Sequence, residues 1–275
     1  MCYNIDKSNR EREDLKMKID KRKNYYIVLD TEGLGLNDKK NKVYGRQRSY
    51  DIGYVITDKK GNLIKMFNAL TKEIFGDDDL MSTAYFADKI PLYDYMIDNK
   101  EIKVKLFHNI VREIKKDLKE YKIKGILAFN AEYDINALVE TAQYSMKTNC
   151  PKLTYTKTKN GKFKPNFEKF LQKLFDTKVE FYDIWTMACA TLGQQKTFLA
   201  NAKYTPKGNI KTNAEIFYQY ISQDEDFVED HTALSDAIIE SEILARVFAS
   251  GGTLRKQIYF PFRLIPKEYQ RKRVA

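Results

Sequence analysis

The stretch Tyr25-Tyr26-Ile27-Val28-Leu29-Asp30-Thr31-Glu32 decides the fold. Its first five residues are aromatic, β-branched or aliphatic without interruption, which is typical of a central strand buried on both faces. Two acids follow at the predicted end of this strand. Because side chains alternate along a strand, Asp30 and Glu32 project from the same face of the sheet. The stretch therefore predicts a buried strand that carries a pair of carboxylates where it ends.

Hydrophobic periodicity downstream predicts the other elements. Strands are predicted over 49–57, 62–70 and 123–129, and helices over 104–121, from near Tyr133, and over 167–175, 184–192, 214–221 and 233–248. A turn at residues 59–62 joins the second and third strands into an antiparallel hairpin. Thr212 and Glu215 are spaced as a capping box for the 214–221 helix. The order of elements predicts an α/β fold with a mixed central sheet flanked by helices.

Composition places the chain among globular proteins. Its 275 residues are 43% hydrophobic and 31% charged, enough for one domain or two small ones. No stretch approaches the roughly 18 to 20 apolar residues of a membrane span, so no membrane association is expected. Residues 1–24 form a charged extension without the apolar core of a secretory signal, and we expect a cytoplasmic protein. The three cysteines lack metal-site spacing and are expected to be reduced.

The net charge of +10 makes nucleic acid the first partner to consider. The excess is concentrated in a Lys-rich segment, 141–180, and in a basic C-terminal tail, 251–275. Lysines outnumber arginines 37 to 11, and ammonium groups suit loose phosphate contact better than base readout. We therefore expect sequence-indifferent phosphate contacts, made in the Lys-rich segment by Lys157, Lys159, Lys162 and Lys164. The alternative is that these lysines only keep the protein soluble.

Two more acidic motifs follow predicted structural boundaries. Asp134 lies in Phe129-Asn130-Ala131-Glu132-Tyr133-Asp134, between a strand and a helix, where it is either a site residue or an acid favoured by the helix dipole. The stretch His231-Thr232-Ala233-Leu234-Ser235-Asp236 leads into the last helix, and small alanines beside Asp236 would let that helix approach the sheet. His108 is predicted to be a packing residue, and Asp183 a helix cap.

Carboxylates that project together repel each other unless a cation lies between them, and a divalent metal is the usual cation. Taken alone, a D-x-E spacing arises easily by chance in a chain with 38 acids. Its position at a strand end is more informative, because α/β sheets bind their ligands at the carboxyl ends of their strands. A metal site at this edge is therefore the hypothesis.

Together, the three motifs resemble those of the DnaQ-like 3′-5′ exonucleases of the DEDDh group, which have a ribonuclease H-like fold. The family pattern D-x-E, N-A-x-[FY]-D and H-x-A-x-x-D reads here as Asp30 and Glu32, then Asp134, then His231 and Asp236. The resemblance covers residues 25–250, with the Lys-rich segment as an insertion. Connecting stretches such as Tyr50-Asp51-Ile52-Gly53 resemble members encoded by phages of low-GC bacteria.

The resemblance implies a two-metal mechanism with Mg²⁺ or Mn²⁺. Asp30, Glu32 and Asp236 would hold one ion. Asp30 would bridge to a second ion, which the scissile phosphate and, through water, Asp134 would also hold. His231 would act as general base on the attacking water, and the products would be nucleoside 5′-monophosphates.

The resemblance also implies that residues flanking the acids face the nucleic acid, namely Thr31, Gly33, Leu34, Phe129, Asn130 and Tyr133. Two of these positions depart from the family. Gly33 stands where a hydroxyl residue is usual, and Phe129 where a histidine is common. Both departures bear on substrate preference rather than on the metals.

Three functions stay open on the sequence. The first is a 3′-5′ exonuclease that acts on single-stranded DNA ends, and the second is an exonuclease of RNA or short oligonucleotides. The third is a catalytically silent nucleic-acid-binding module on the same fold. The motifs do not identify a replication or recombination partner.

Overall fold

The computed structural model describes residues 20, 22–35, 37–38, 43–44, 47–158 and 160–271. The strands are β1 (Tyr25–Gly33), β2 (Asn37–Asp38), β3 (Val43–Tyr44), β4 (Ser49–Asp58), β5 (Leu63–Thr71), β6 (Val104–Lys105), β7 (Ile123–Ala128), β8 (Tyr155–Lys157), β9 (Phe163–Pro165) and β10 (Phe181–Asp183). The α-helices are α1 (Lys72–Phe75), α2 (Asp78–Met81), α3 (Ile90–Asp98), α4 (Phe107–Glu120), α5 (Ala131–Met146), α6 (Phe167–Leu174), α7 (Ile184–Thr191), α8 (Lys196–Ala200), α9 (Ala214–Ser222), α10 (Ala233–Ala249) and α11 (Lys267–Gln270).

Six strands form the central sheet, in the order β10-β7-β1-β4-β5-β6. The strand β1 pairs parallel with β7 and antiparallel with β4, and β7 pairs parallel with β10. The hairpin partner β5 lies antiparallel to β4, and short β6 lies parallel to β5. This mixed sheet, flanked by helices on both faces, is the ribonuclease H-like fold that the sequence predicted.

The alternation along β1 divides the core between the two faces of the sheet. Tyr25, Ile27 and Leu29 pack in a cluster with the apolar faces of α4, α5 and α6. Tyr26 and Val28 point to the opposite face and pack in a second cluster with α7, α9 and α10. Since a strand buried on both faces fixes its register strongly, the position of the acids at its end is fixed too.

Some elements differ from the sequence-based expectation. The capping box does not form, because Thr212 Oγ1 instead accepts a hydrogen bond from Trp185 Nε1 (2.9 Å) and a Glu215 oxygen accepts one from the Glu229 amide (3.4 Å). His108 is exposed on α4, so the prediction that it packs in the core was wrong. Asp183 does cap a helix, since its side chain accepts a hydrogen bond from the Thr186 amide at the start of α7.

The Lys-rich segment begins inside α5. It continues through the exposed two-stranded hairpin β8–β9 and includes α6, whose Phe170, Leu171 and Leu174 are buried in the core. Within the described residues, no helix is both long enough and apolar enough to cross a membrane.

Candidate functional site

The acidic residues of β1 lie at the edge of the sheet where β1, β7 and β10 all end. Asp30 pairs in register with Gly53 of the antiparallel neighbour β4, and Glu32 pairs with Asp51. Glu32 is 6% exposed, and Oδ2 of Asp30 is buried without a hydrogen-bond partner among the described residues. The edge of a sheet beyond the carboxyl ends of its strands is the usual place for a ligand in α/β folds.

Gly53 lets α10 bring Asp236 to this edge. A Cβ atom at Gly53 would lie 2.2 Å from the Leu234 amide nitrogen, so only glycine allows the start of α10 to rest directly on β4. Ala233 and Ala237 on the same helix face are completely buried. This close approach, which the small residues beside Asp236 predicted, places the Asp236 carboxylate against those of Asp30 and Glu32.

Asp134 reaches the site from the first turn of α5. It is 2% exposed, and its Oδ1 accepts a hydrogen bond from the Thr31 hydroxyl on β1 at 2.9 Å. Asn130, which precedes the helix, has the left-handed φ of 66°, so the chain turns sharply between β7 and α5. The Asp183 carboxylate accepts a hydrogen bond from the Ala131 amide at 2.9 Å and so fixes the start of α5.

His231 lies beside these acids at the mouth of the site. Its Nδ1 is 3.7 Å from Asp236 Oδ2 and 4.0 Å from Glu229 Oε2, and its side chain is 34% exposed. The imidazole stacks on Phe86, with ring centroids 4.4 Å apart and planes inclined by 11°. Its backbone has the positive φ of 53°. Attraction to the Asp236 carboxylate raises the pKa of His231 above its usual value.

Burial and mutual repulsion raise the pKa values of the clustered acids. Burial, followed by the charges of neighbouring acids such as Asp236, raises the pKa of Glu32 to about 9. Burial raises the pKa of Asp134 to about 8, although its hydrogen bond from Thr31 opposes the shift. Burial and four neighbouring carboxylates raise the pKa of Asp30 well above its usual value. The cluster therefore retains protons at neutral pH unless a cation compensates its charge.

The structure adds acids that sequence reasoning did not assign to the site. Glu240, one turn beyond Asp236 on α10, is 3% exposed, and its Oε2 accepts a hydrogen bond from the Phe129 amide (3.1 Å). Its charge acts on Asp30. The spacing of four from Asp236 on one helix face was the available signal. Asp51 lies across from Glu32, and finding it required the register of β4.

Asp51 also anchors the helix that carries Asp236. Its Oδ2 accepts hydrogen bonds from the Ala233 amide at the start of α10 (3.0 Å) and from the Tyr93 hydroxyl (2.8 Å). Burial raises the pKa of Asp51 to about 6, and these two hydrogen bonds oppose the shift.

The donor set fits a divalent cation. Glu32, His231 and Asp236 each offer a ligand atom, and these atoms lie within 4.8 Å of one another. Oδ2 of Asp30 and Oδ1 of Asp236 are buried without a hydrogen-bond partner among the described residues. Carboxylate oxygens are the ligands that Mg²⁺ and Mn²⁺ prefer, so these unpaired oxygens suit such an ion.

A cleft of about 390 Å³ opens over the acids. Its lining residues are Asp30, Thr31, Glu32, Gln47, Tyr85, Phe86 and Tyr133. Tyr85 is 70% exposed, and its ring packs edge-on against Phe86. The cleft therefore combines an acidic floor with aromatic walls.

The predicted nucleic-acid-binding residues divide into several groups. Thr31 and Tyr133 line the cleft, and Gly33 lies beside the Tyr133 hydroxyl. Leu34 does not reach the cleft surface, because its side chain is completely buried in a third apolar cluster.

Phe129 stacks on Trp185, and the Asn130 side chain accepts a hydrogen bond from Gln257. Lys157, Lys162 and Lys164 are exposed on the β8–β9 hairpin, with no carboxylate within 4 Å among the described residues. Lys159 and the tail beyond Arg271 lie outside the described residues.

The chain is similar to solved structures at low sequence identity. A 3′-exonuclease in a structure titled for 3′-end recognition of a histone mRNA stem-loop is 13% identical, with a TM-score of 0.48 and 85% of each chain covered. E. coli exonuclease I in complex with a 5cy-dT13 oligonucleotide is 12% identical, with a TM-score of 0.47, and this chain, matched over 82% of its residues, spans 42% of that protein. No protein-family model and no curated protein match the sequence.

Proposed function

We propose that this chain is a metal-dependent 3′-5′ exonuclease of the DnaQ-like DEDDh type that degrades single-stranded DNA to nucleoside 5′-monophosphates. The observation that carries the proposal is the convergence of four carboxylates and one imidazole from β1, α5 and the start of α10. These are the residues Asp30, Glu32, Asp134, His231 and Asp236. Residues of three motifs that are distant along the chain thus lie in one cluster, and this clustering supports the proposal.

Asp30, Glu32, Asp134 and Asp236 would hold two divalent ions, Mg²⁺ or Mn²⁺. When bound, such ions stabilise the attacking and leaving oxygens of an in-line phosphoryl displacement. The protein contributes a fixed arrangement of ligands, because each acid is positioned by a strand, a helix start or a hydrogen bond. Thr31 orients Asp134, and Asp51 fixes the beginning of the helix that bears Asp236.

His231 is the general base in this proposal. It is partly exposed at the mouth of the cleft, and Nδ1 faces the Asp236 carboxylate, which leaves Nε2 for a water molecule at the substrate side. Stacking on Phe86 restricts the rotation of the imidazole ring. An imidazole that titrates near neutral pH is well matched to removing a proton from water.

The His231→Ala variant tests this role. We expect kcat to fall by about 10²- to 10⁴-fold with a much smaller change in KM, because substrate binding does not depend on the base. The matched control is His108→Ala, since His108 is exposed on α4 away from the cleft. An unchanged kcat and pH profile in the His231 variant would show that this histidine is structural.

The shape of the cleft supports a single strand as the substrate. Its volume suits one nucleotide rather than a duplex, and the rings of Tyr85, Phe86 and Tyr133 offer surfaces for an unpaired base. The acidic floor would repel a phosphate on its own, so hydrolysis requires the metal ions.

The decisive experiment compares 5′-labelled DNA and RNA strands of matched sequence, in EDTA and with Mg²⁺ or Mn²⁺. We expect the DNA strand to shorten from its 3′ end only with metal and to release nucleoside 5′-monophosphates, measured by gel ladders and chromatography. Cleavage of RNA alone would reassign the substrate. Binding without cleavage in either metal would refute the exonuclease activity and favour a nucleic-acid-binding module.

A further inference from the structure

We propose that an aromatic segment, residues 258–263, is a stacking site for an unpaired base of the substrate strand, upstream of its 3′ end. This inference rests on the proposed function for the identity of the strand. Tyr259 is 83% exposed and Phe260 is 39% exposed, and the two rings pack edge-on with centroids 4.3 Å apart. One face of Tyr259 is thus presented to solvent on a supported ring.

The backbone of the segment is held in an unusual conformation. Phe260 has a φ of 140°, a strained conformation that non-glycine residues rarely adopt. Its amide donates to the Ile258 carbonyl at 3.1 Å, and its carbonyl accepts from the Arg263 amide at 3.0 Å. The Arg263 guanidinium lies 4.4 Å from the Phe260 ring centre. Strain of this kind concentrates at ligand-binding sites, where the surrounding structure sustains it.

Hydrogen bonds tie this segment to the edge of the sheet that carries the acids. The Arg255 carbonyl accepts from the Asp183 amide at the end of β10 (2.9 Å). The Gln257 side chain accepts a hydrogen bond from the Glu132 amide and donates one to the Asn130 side chain (2.8 Å). These two bonds attach the segment to the start of α5. Tyr133, which lines the cleft, is the next residue of the same helical turn. The start of α5 therefore links the cleft residue Tyr133 to Gln257, two residues before Tyr259, and in this proposal the strand runs from the cleft along that side.

Charge identifies the occupant as a polyanion. Exposed cations lie along the same C-terminal stretch, at Arg255, Lys256, Arg263, Lys267 and Arg271, and Arg263 contacts the Phe260 ring, whereas Glu268 is the one acid between Arg255 and Arg271. Lys256 pairs with Glu168, but no carboxylate lies within 4 Å of the other four cations among the described residues. Aromatic rings flanked by exposed cations suit stacked bases with their phosphates, which is the pattern of single-strand binding.

Tyr259→Ala tests the site, with Tyr259→Phe as the conservative variant and Tyr95→Ala as the matched control. Tyr95 is 60% exposed on α3, so its loss removes a similar surface elsewhere. Affinity for a 5′-fluorescein-labelled 12-nucleotide DNA strand is measured by anisotropy in EDTA, which prevents cleavage. We expect Tyr259→Ala to raise Kd by about 5- to 150-fold, the loss of one stacked base. Tyr259→Phe and Tyr95→Ala stay within about twofold of wild type.

An abasic scan of the strand locates the stacked base. Replacing bases one at a time with abasic sites should weaken wild-type binding most at one position, and that penalty should vanish in Tyr259→Ala, as a double-mutant cycle requires. An identical abasic profile in both proteins, or unchanged affinity in Tyr259→Ala, overturns the stacking site. Failure of the proposed function would give a different result. The wild type would then cut no strand with Mg²⁺ or Mn²⁺, while the effect of the abasic site on binding would still depend on Tyr259.

Discussion

The fold surrounds two aspartates, the buried Asp117 and the half-buried Asp30, with opposite kinds of neighbours. Asp117 on α4 has no exposed surface, accepts a hydrogen bond from the Tyr54 hydroxyl at 2.6 Å, and pairs with the Lys65 ammonium at 2.6 Å. Asp30 has a buried oxygen without a partner among the described residues, and its neighbours are other acids. The chain thus supplies partners for the Asp117 carboxylate and none for the buried oxygen of Asp30 among the described residues.

This difference separates a structural charge from a functional one. A buried carboxylate without a partner costs several kcal/mol, and folded proteins ordinarily remove that cost by pairing or hydrogen bonding. In the proposed function, bound cations from outside the chain compensate the acidic cluster around Asp30. The variants below distinguish the two kinds of acid.

Removal of either Asp30 or Asp236 should have the largest effect on activity. We expect Asp30→Ala or Asp236→Ala to lower kcat/KM at least about 10³-fold, because each removes a ligand of ions that supply several kcal/mol of transition-state stabilisation. The fold should persist, and the metal-free protein should not lose stability, since repulsion is relieved. Hydrolysis in Mg²⁺ and thermal melting measure the two effects. Activity within about tenfold of wild type in either variant would refute the metal assignment.

Asp117→Ala should have the converse effect. It leaves the Lys65 ammonium and the buried Tyr54 hydroxyl without their partner, so we expect a loss of about 2 to 4 kcal/mol in the free energy of unfolding. Urea denaturation measures this loss. The activity of the folded fraction should equal that of wild type, because Asp117 lies on the face of the sheet opposite Asp236. Wild-type stability would mean that the ion pair contributes nothing.

The pH dependence of stability should also reflect the uncompensated cluster. Folded-state pKa values of about 9 for Glu32 and about 8 for Asp134 exceed the ordinary values of 4.5 and 3.8. The folded state therefore binds more protons than the unfolded state between these limits, and stability falls as pH rises. The raised pKa of His231 acts in the same direction.

We expect the metal-free Tm to decrease by several degrees from pH 5 to pH 9, and Mg²⁺ or Mn²⁺ to restore it at the alkaline end, where the acids are ionised. Differential scanning calorimetry in EDTA and with metal checks this. A Tm that is constant or rises between pH 5 and pH 8 without metal would contradict the raised pKa values.

The smallest effect is expected on the exposed hairpin. If Lys157, Lys162 and Lys164 contact phosphates, changing all three to Gln should flatten the plot of log K against log salt by about 0.7 per contact. The control changes Lys100, Lys103 and Lys116, which are exposed elsewhere. Equal slopes in the hairpin variant, the control and wild type would mean that the hairpin lysines serve solubility.

Much of the fold was predictable because its periodicity is strong. The buried run of β1, the β4–β5 hairpin and the apolar faces of α4 and α10 all lie where the sequence predicted them. The edge strand β10 was not predicted, because its three residues are too few for a pattern and it depends on pairing with β7.

The composition of the site was predictable in part. The motif residues lie together in the structure. Predicting Glu240 would have required knowing that its helix face points into the cluster, and predicting Asp51 would have required the register of the sheet. Gln257 comes from a C-terminal segment without periodicity, so only tertiary structure brings it to Asn130. Local patterns find the residues that end strands and begin helices, and packing selects the rest.

Because Gly53 has no side chain, α10 packs directly against the backbone of β4. A methyl group there would meet the Leu234 nitrogen at 2.2 Å, against ordinary contacts of 3.4 to 4 Å, so α10 would have to withdraw by more than an ångström. Asp236 would move with it, and a shift of about 1 Å in a reacting group can reduce a rate about 10²-fold. Gly53 therefore sets the distance between the acids of β1 and Asp236 of α10, although it is uncharged and is not one of the proposed metal ligands.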